Sequence, residues 1–197
     1  MVKISTVLRN LISLSRTSAK RKNRVSIDKT LSESLEQRQV MSVTNPWFSG
    51  STLIVPTDNN STHVTLSSSN GNVMVSDVGT NRTWTYASSS VSKVEFQGGS
   101  GNDRFINNIY SMPVRGFGGS GNDYLEGYNG ADMFVGGAGD DELVGYGGND
   151  QMWGGDGNDI LKGGSGLDDL MGDAGNDRLT GDLTVTVCGA GLALTFF

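Results

Sequence analysis

Gly118-Gly119-Ser120-Gly121-Asn122-Asp123-Tyr124-Leu125-Glu126 is the first of seven nine-residue units that run without a break to Thr180. Every unit has Gly at its first position (Gly118, Gly127, Gly136, Gly145, Gly154, Gly163, Gly172) and at its fourth (Gly121, Gly130, Gly139, Gly148, Gly157, Gly166, Gly175). The sixth is always Asp: Asp123, Asp132, Asp141, Asp150, Asp159, Asp168 and Asp177. The eighth is always large and apolar: Leu125, Phe134, Leu143, Met152, Leu161, Leu170 and Leu179. So short a period describes a solenoid, in which a unit buries its apolar side chain only by stacking on neighbours.

Glycine permits positive φ and close approach of backbone, so each unit reads as a six-residue loop followed by a three-residue strand. The middle side chain of such a strand points away from its flanks, which makes the eighth residue the inward one. Two units then close one coil of eighteen residues with a strand on each side. One sheet is expected to carry Leu125, Leu143, Leu161 and Leu179, the other Phe134, Met152 and Leu170. The predicted fold class is all-β, a parallel β-solenoid.

The same stacking sets the aspartates in two columns, Asp123/Asp141/Asp159/Asp177 and Asp132/Asp150/Asp168. Carboxylates at the ~4.8 Å spacing of paired strands repel by roughly 1 kcal/mol in water, and by more where partly buried. Calcium removes the conflict, since it accepts ~6–8 carboxylate and carbonyl oxygens in flexible geometry, whereas magnesium demands a tighter octahedron. The expected ligands are the seven aspartates, Asp103, and loop carbonyls around the first- and fourth-position glycines named above. The gaps between stacked aspartates predict about five calcium sites, with a sixth between Asp103 and Asp123 if two extra residues loop out. One inward side chain per unit is a small core against the entropy of ordering nine residues, so the array is expected to be largely disordered without calcium and to fold on binding it.

Composition narrows the alternatives. The 197 residues include 29 Gly and 3 Pro, with a net charge of −6. Residues 1–40 carry nine Lys/Arg and three Asp/Glu, a net of +6, while residues 98–182 carry four Lys/Arg and fifteen Asp/Glu, a net of −11. The acidic part suits cations and excludes nucleic acid. Cys188 and His63 are the only residues of their kinds, so there is no internal disulfide and no Cys/His metal cluster. His63 reads as an ordinary strand residue, and no stretch is long and apolar enough to span a membrane.

Four segments are expected. Residues 1–45 form a basic, disordered leader that includes Lys20-Arg21-Lys22-Asn23-Arg24. Residues 46–97 are an irregular β region of short alternating runs split by turn signals such as Asn70-Gly71. Residues 98–182 are the calcium-binding solenoid: residues 98–106 already make a complete unit, and residues 107–117 read as a decayed coil with a bulge or a looped-out Ser111-Met112-Pro113. Residues 183–197 read as a cap over the open end of the stack, with a C-terminal secretion signal and a truncated array as the other readings.

The Gly-Gly-x-Gly-x-Asp-x-Leu-x units, such as 118–126 and 154–162, resemble the RTX or hemolysin-type calcium-binding repeat. The resemblance implies a parallel β-roll, export to the cell exterior or surface, and calcium held by two Asp carboxylates two units apart plus loop carbonyls. Leu35-Glu36-Gln37-Arg38-Gln39-Val40-Met41-Ser42 also resembles a segment near the start of certain large bacterial surface proteins, which again points to export. The expected function is a calcium-folded, non-enzymatic module; the alternative is the calcium-binding secretion tail of a toxin or exported hydrolase whose catalytic part is absent. Carboxylates committed to calcium are poor general acids and bases, which disfavours an enzyme. Tyr128 and Tyr146, eighteen residues apart, should stack on one edge, and Met133, Trp153 and Met171 should face outward from the second sheet. These two surfaces are where a protein or glycan partner is expected.

Overall fold

The computed structural model describes residues 45–182, 189–190 and 193–194. All but the last residue of the expected leader, and most of the expected C-terminal cap, lie outside the described residues. Within them are seventeen short strands, one 3-10 turn at Ser88–Ser90 and no α-helix.

Alternation of apolar and polar residues, or the eighth-position apolar residue, marks nearly every strand, and successive strands of the array go to opposite sheets. One sheet is ordered β1 (Trp47–Ser49), β2 (Thr52–Pro56), β6 (Lys93–Ser100), β8 (Val114–Ser120), β10 (Met133–Ala138), β12 (Gln151–Asp156), β14 (Asp169–Ala174) and β16 (Gly189–Ala190). The other runs from β17 (Ala193–Leu194) through β15 (Arg178–Thr180), β13 (Ile160–Ser165), β11 (Glu142–Gly147), β9 (Tyr124–Tyr128), β7 (Arg104–Asn107) and β3 (His63–Ser69) to the hairpin β4 (Asn72–Asp77) and β5 (Arg82–Ala87). Apart from β1–β2, β3–β4 and β4–β5, the pairings are parallel, and the chain winds as a parallel β-solenoid of about 5 turns.

Register follows the repeat. Leu143 pairs with Leu125 and Leu161, and Leu161 with Leu179, while Met152 pairs with Phe134 and Leu170. All seven are buried, so the core is two facing ladders, as the eighth-position pattern requires. The division of each unit differs from expectation. Strands such as Glu142–Gly147 and Gln151–Asp156 are six residues long, leaving three-residue loops between them. In all the units but 127–135, whose strand ends at Tyr128, the first three residues remain in the strand, with Gly137 paired to Gly155 for example, so the glycines belong to the strand as much as to the turn.

The solenoid begins well before the perfect array. Residues 98–106 stack on it, with Phe105 opposite Leu125, and the two extra residues are absorbed before β8. The wholly buried Asn107 holds that detour: its Oδ1 accepts from the Ile109 N–H at 3.0 Å and its Nδ2 donates to the Met112 carbonyl at 3.2 Å. Gly116 then takes the inward place opposite Phe96 and Phe134, where a methyl group would lie 2.9 Å from Phe134 Cδ1. The neighbouring aromatic ring fills the gap that a side chain fills elsewhere.

Residues 46–97 are β as expected, but not merely a leader. Strand β2 pairs with β6, setting Val55 against Phe96, and β3 pairs with β7, setting Val64 against Phe105. Phe96 and Phe105 stack with centroids 4.9 Å apart. His63 is on β3 as an ordinary strand residue, its pKa lowered by burial and by Arg104.

Candidate metal centre

Each array aspartate closes a short loop just before a strand, of three residues except for the four that end at Asp132, and the eighteen-residue coil brings successive aspartates of one edge together. The N–H of Asp123 donates to Oδ1 of Asp141 at 2.7 Å, Asp141 to Asp159 at 2.8 Å, and Asp159 to Asp177 at 2.9 Å. On the other edge Asp132 donates to Asp150 at 2.9 Å and Asp150 to Asp168 at 3.1 Å. Asp103 enters the first column through its N–H to Asp123 Oδ1 at 2.7 Å, despite a spacing of twenty residues.

One oxygen of each carboxylate is thus used by the preceding coil. The other is not. Oδ2 of Asp103, Asp123, Asp141, Asp150, Asp159 and Asp168 is buried with no hydrogen-bond partner. An unpaired buried anionic oxygen is costly, so each of these atoms calls for a proton or a cation. Burial pushes the carboxyl pKa of Asp103, Asp141 and Asp150 up to about 7, with adjacent carboxylates adding to it. Asp123, Asp132 and Asp159 rise to about 6, and Asp168 is raised, again chiefly by burial.

The space beside each orphan oxygen is open because the first residue of every unit is Gly. A methyl group on Gly118 would lie 2.2 Å from Asp123 Oδ2 and 2.6 Å from the carbonyl oxygen of Gly136, one coil on. The corresponding distances are 2.6 and 2.3 Å at Gly98 (Asp103, Gly118), 2.2 and 2.7 Å at Gly136 (Asp141, Gly154), and 2.2 and 2.8 Å at Gly154 (Asp159, Gly172). On the second edge Gly127 faces Asp132 Oδ2 at 2.0 Å and the Gly145 carbonyl at 3.2 Å. Gly145, Gly163 and Gly172 face the carboxylates of Asp150, Asp168 and Asp177. These cradles join a carboxylate oxygen and a carbonyl oxygen, the donor chemistry of a hard cation such as calcium. No three acidic, imidazole or thiol side chains converge among the described residues, so backbone carbonyls must complete any ligand set.

The fourth-position glycines serve differently. A methyl group on Gly139 would lie 2.2 Å from the Gly121 carbonyl, so these residues let the loops of successive coils close on one another. Sequence reasoning also missed a ladder at the fifth position of the first edge. There the N–H groups of Asn122, Asp140, Asn158 and Asn176 donate to the side-chain Oδ1 of Asn102, Asn122, Asp140 and Asn158, at 2.8–3.1 Å. The signal was visible as Asn or Asp at that position in alternate units, against Ala131 and Leu167 on the other edge.

Tyr128 and Tyr146 are register partners but meet edge to face, centroids 6.4 Å apart, and Tyr110 from the detour extends the row at 5.7 Å from Tyr128. Tyr146 and Asp173 hold φ of 72° and 65° at the second position of their units, where most others have Gly at positive φ. Met133, Trp153 and Met171 lie half-buried on the outer face of the first-described sheet, Trp153 flanked in register by Val135 and Met171.

Parallel coils, columns of orphan carboxylate oxygens and glycine cradles define a cation-binding β-solenoid. The sequence model of the RTX calcium-binding nonapeptide repeat, described as four copies, matches residues 116–143 and 144–179, so the array is an RTX repeat array and supports calcium binding by this chain. No match to the chain is found among curated proteins or solved structures. No helix among the described residues is long and apolar enough to cross a membrane.

Proposed function

We propose that this chain is the calcium-folded module of an exported or cell-surface protein, and that it binds rather than transforms its ligands. The observation that carries the reading is the set of six buried Oδ2 atoms without partners, set in two columns beside glycine cradles. Asp103, Asp123, Asp141, Asp159 and Asp177 would hold calcium on one edge and Asp132, Asp150 and Asp168 on the other, with first-position carbonyls as co-ligands. When bound, the ion supplies charge compensation to carboxylates that otherwise oppose the stack. Low free calcium inside a cell would keep the array unfolded for export, and the calcium outside would fold it.

The full chain titrated with calcium, followed by far-UV circular dichroism and equilibrium dialysis, tests this. The expected result is a cooperative gain of β signal with five to six calcium ions bound. A β signal indifferent to chelator, or no bound calcium, would overturn it. The tyrosine row and the Trp153 face are the surfaces offered to a protein or glycan partner once the array is folded. For the latter, Trp153→Ser should reduce calcium-dependent self-association or capture by a partner without changing the calcium count; an unchanged association state and partner profile would remove that assignment.

A further inference from the structure

We propose that residues 57–65 are a ninth copy of the repeat, in which a threonine hydroxyl stands where the other copies leave room for a cation, so that the first coil is a calcium-independent seed for the rest. The inference rests on the calcium reading of the array given above.

The copy is invisible as a motif, yet its register is that of every other unit. His63, Val64 and Thr65 pair with Arg104, Phe105 and Ile106, an offset of forty-one residues. At the sixth position is Thr62, whose N–H donates to Asp103 Oδ1 at 2.7 Å, as the Asp103 N–H donates to Asp123. At the fifth is Ser61, whose Oγ accepts the Asn102 N–H at 2.8 Å and starts the fifth-position ladder. Thr57 occupies the first position, where the other eight copies have Gly.

That exchange alters the site. In the next copy a methyl group on Gly98 would meet the Gly118 carbonyl and Asp103 Oδ2. At Thr57 a real side chain fills the equivalent place, its hydroxyl donating to the Gly98 carbonyl and lying 3.0 Å from the Asp58 carbonyl. Thr62 replaces the carboxylate with a neutral hydroxyl that donates to the Asn60 carbonyl at 3.0 Å. The step from this copy to the next has no orphan oxygen at its sixth position and no open cradle, so it lacks the buried carboxylate that a cation neutralises in the other copies.

Packing at this end agrees. Val55, Val64, Leu66, Val75, Phe96 and Phe105 are all fully buried, several for each coil, whereas the array buries one large side chain in nine residues. A denser core and a hydroxyl-closed step make residues 52–106 a surface on which the first calcium-requiring unit, 118–126, can stack.

Hydrogen exchange of the full chain in chelator tests the seed. Peptides within 52–106 should keep their protection while those within 118–180 exchange at least 100-fold faster than with calcium. Loss of protection in both segments overturns the proposal, whereas an array whose protection ignores calcium overturns the calcium reading instead. The plug is tested by the double variant Thr57→Gly with Thr62→Asp, which rebuilds cradle and carboxylate. Equilibrium dialysis should then count one more calcium than in the wild type, and protection of 52–106 in chelator should fall at least 10-fold. A folded double variant with an unchanged count overturns the plug, and if the variant does not fold in calcium, the wild-type exchange pattern decides.

Discussion

At Asp141 the two carboxylate oxygens have separate duties, and two substitutions tell them apart. Oδ1 accepts the Asp123 N–H, while Oδ2 is buried beside the Gly136 cradle without a partner. Asp141→Asn keeps an acceptor for the amide but puts an NH2 group where a cation needs an anion. It should bind one calcium fewer and raise the calcium concentration for half-folding about tenfold, or roughly 1.4 kcal/mol. Gly136→Ala closes the same cradle by bulk, placing a methyl group 2.2 Å from Oδ2, yet leaves the carboxylate in place. It should be the more damaging change, because the buried charge then has neither partner nor escape. Calcium titrations of the two variants check both the count and the order; Gly136→Ala with a wild-type midpoint would remove the cradle from the site.

At the scale of the element, the two edges of the roll are built differently. The first carries the fifth-position ladder from Ser61 through Asn102, Asn122, Asp140 and Asn158 to Asn176, and the second keeps only the Leu167 N–H to Asn149 Oδ1 bond at 3.0 Å. Ladder bonds run from a later coil to an earlier one, and the aspartate bonds run the other way, so the first edge is pinned in both directions. Asn158→Ala removes the acceptor for Asn176 and the donor to Asp140, at 3.1 Å each. Since the groups are exposed, water partly replaces the bonds, and the calcium-loaded chain should lose about 1 kcal/mol without losing a calcium. Denaturant unfolding in calcium, with dialysis alongside, measures both.

These elements also show what the sequence could disclose. Sheet assignment, inward ladders and aspartate columns were legible because glycine and aspartate recur at fixed positions, and the register at Asp103 survived a two-residue detour. Residues 57–65 were not legible, because Thr57, Asn60 and Thr62 replace the diagnostic residues and the β4–β5 hairpin stretches the offset to forty-one. The six-residue strands were missed for a different reason. Glycine in a sequence reads as a turn signal, whereas here paired glycines such as Gly137 and Gly155 continue the ladder while letting coils approach closely.

Over the whole molecule, two kinds of electrostatic opposition to folding can be separated. Residues 98–182 carry a net charge of −11, a diffuse repulsion that salt would screen, while the column aspartates are buried, where salt does little. The shifted carboxyls give the sign of the pH effect. Their folded, calcium-free pKa values of about 6 to 7 lie above the ordinary value of 3.8, so the folded array binds protons more tightly than the unfolded chain. Their contribution therefore favours the fold below about pH 4 and is lost as pH rises through 6 to 7. In chelator, circular dichroism should show more array structure at pH 5 than at pH 8, and about 1 M salt at pH 8, where the Debye length is ~3 Å, should not restore it. Calcium at pH 8 should restore it, with affinity falling toward pH 5.5 as protons compete for Oδ2. Recovery by salt alone would mean that surface repulsion, not the buried columns, keeps the calcium-free array open.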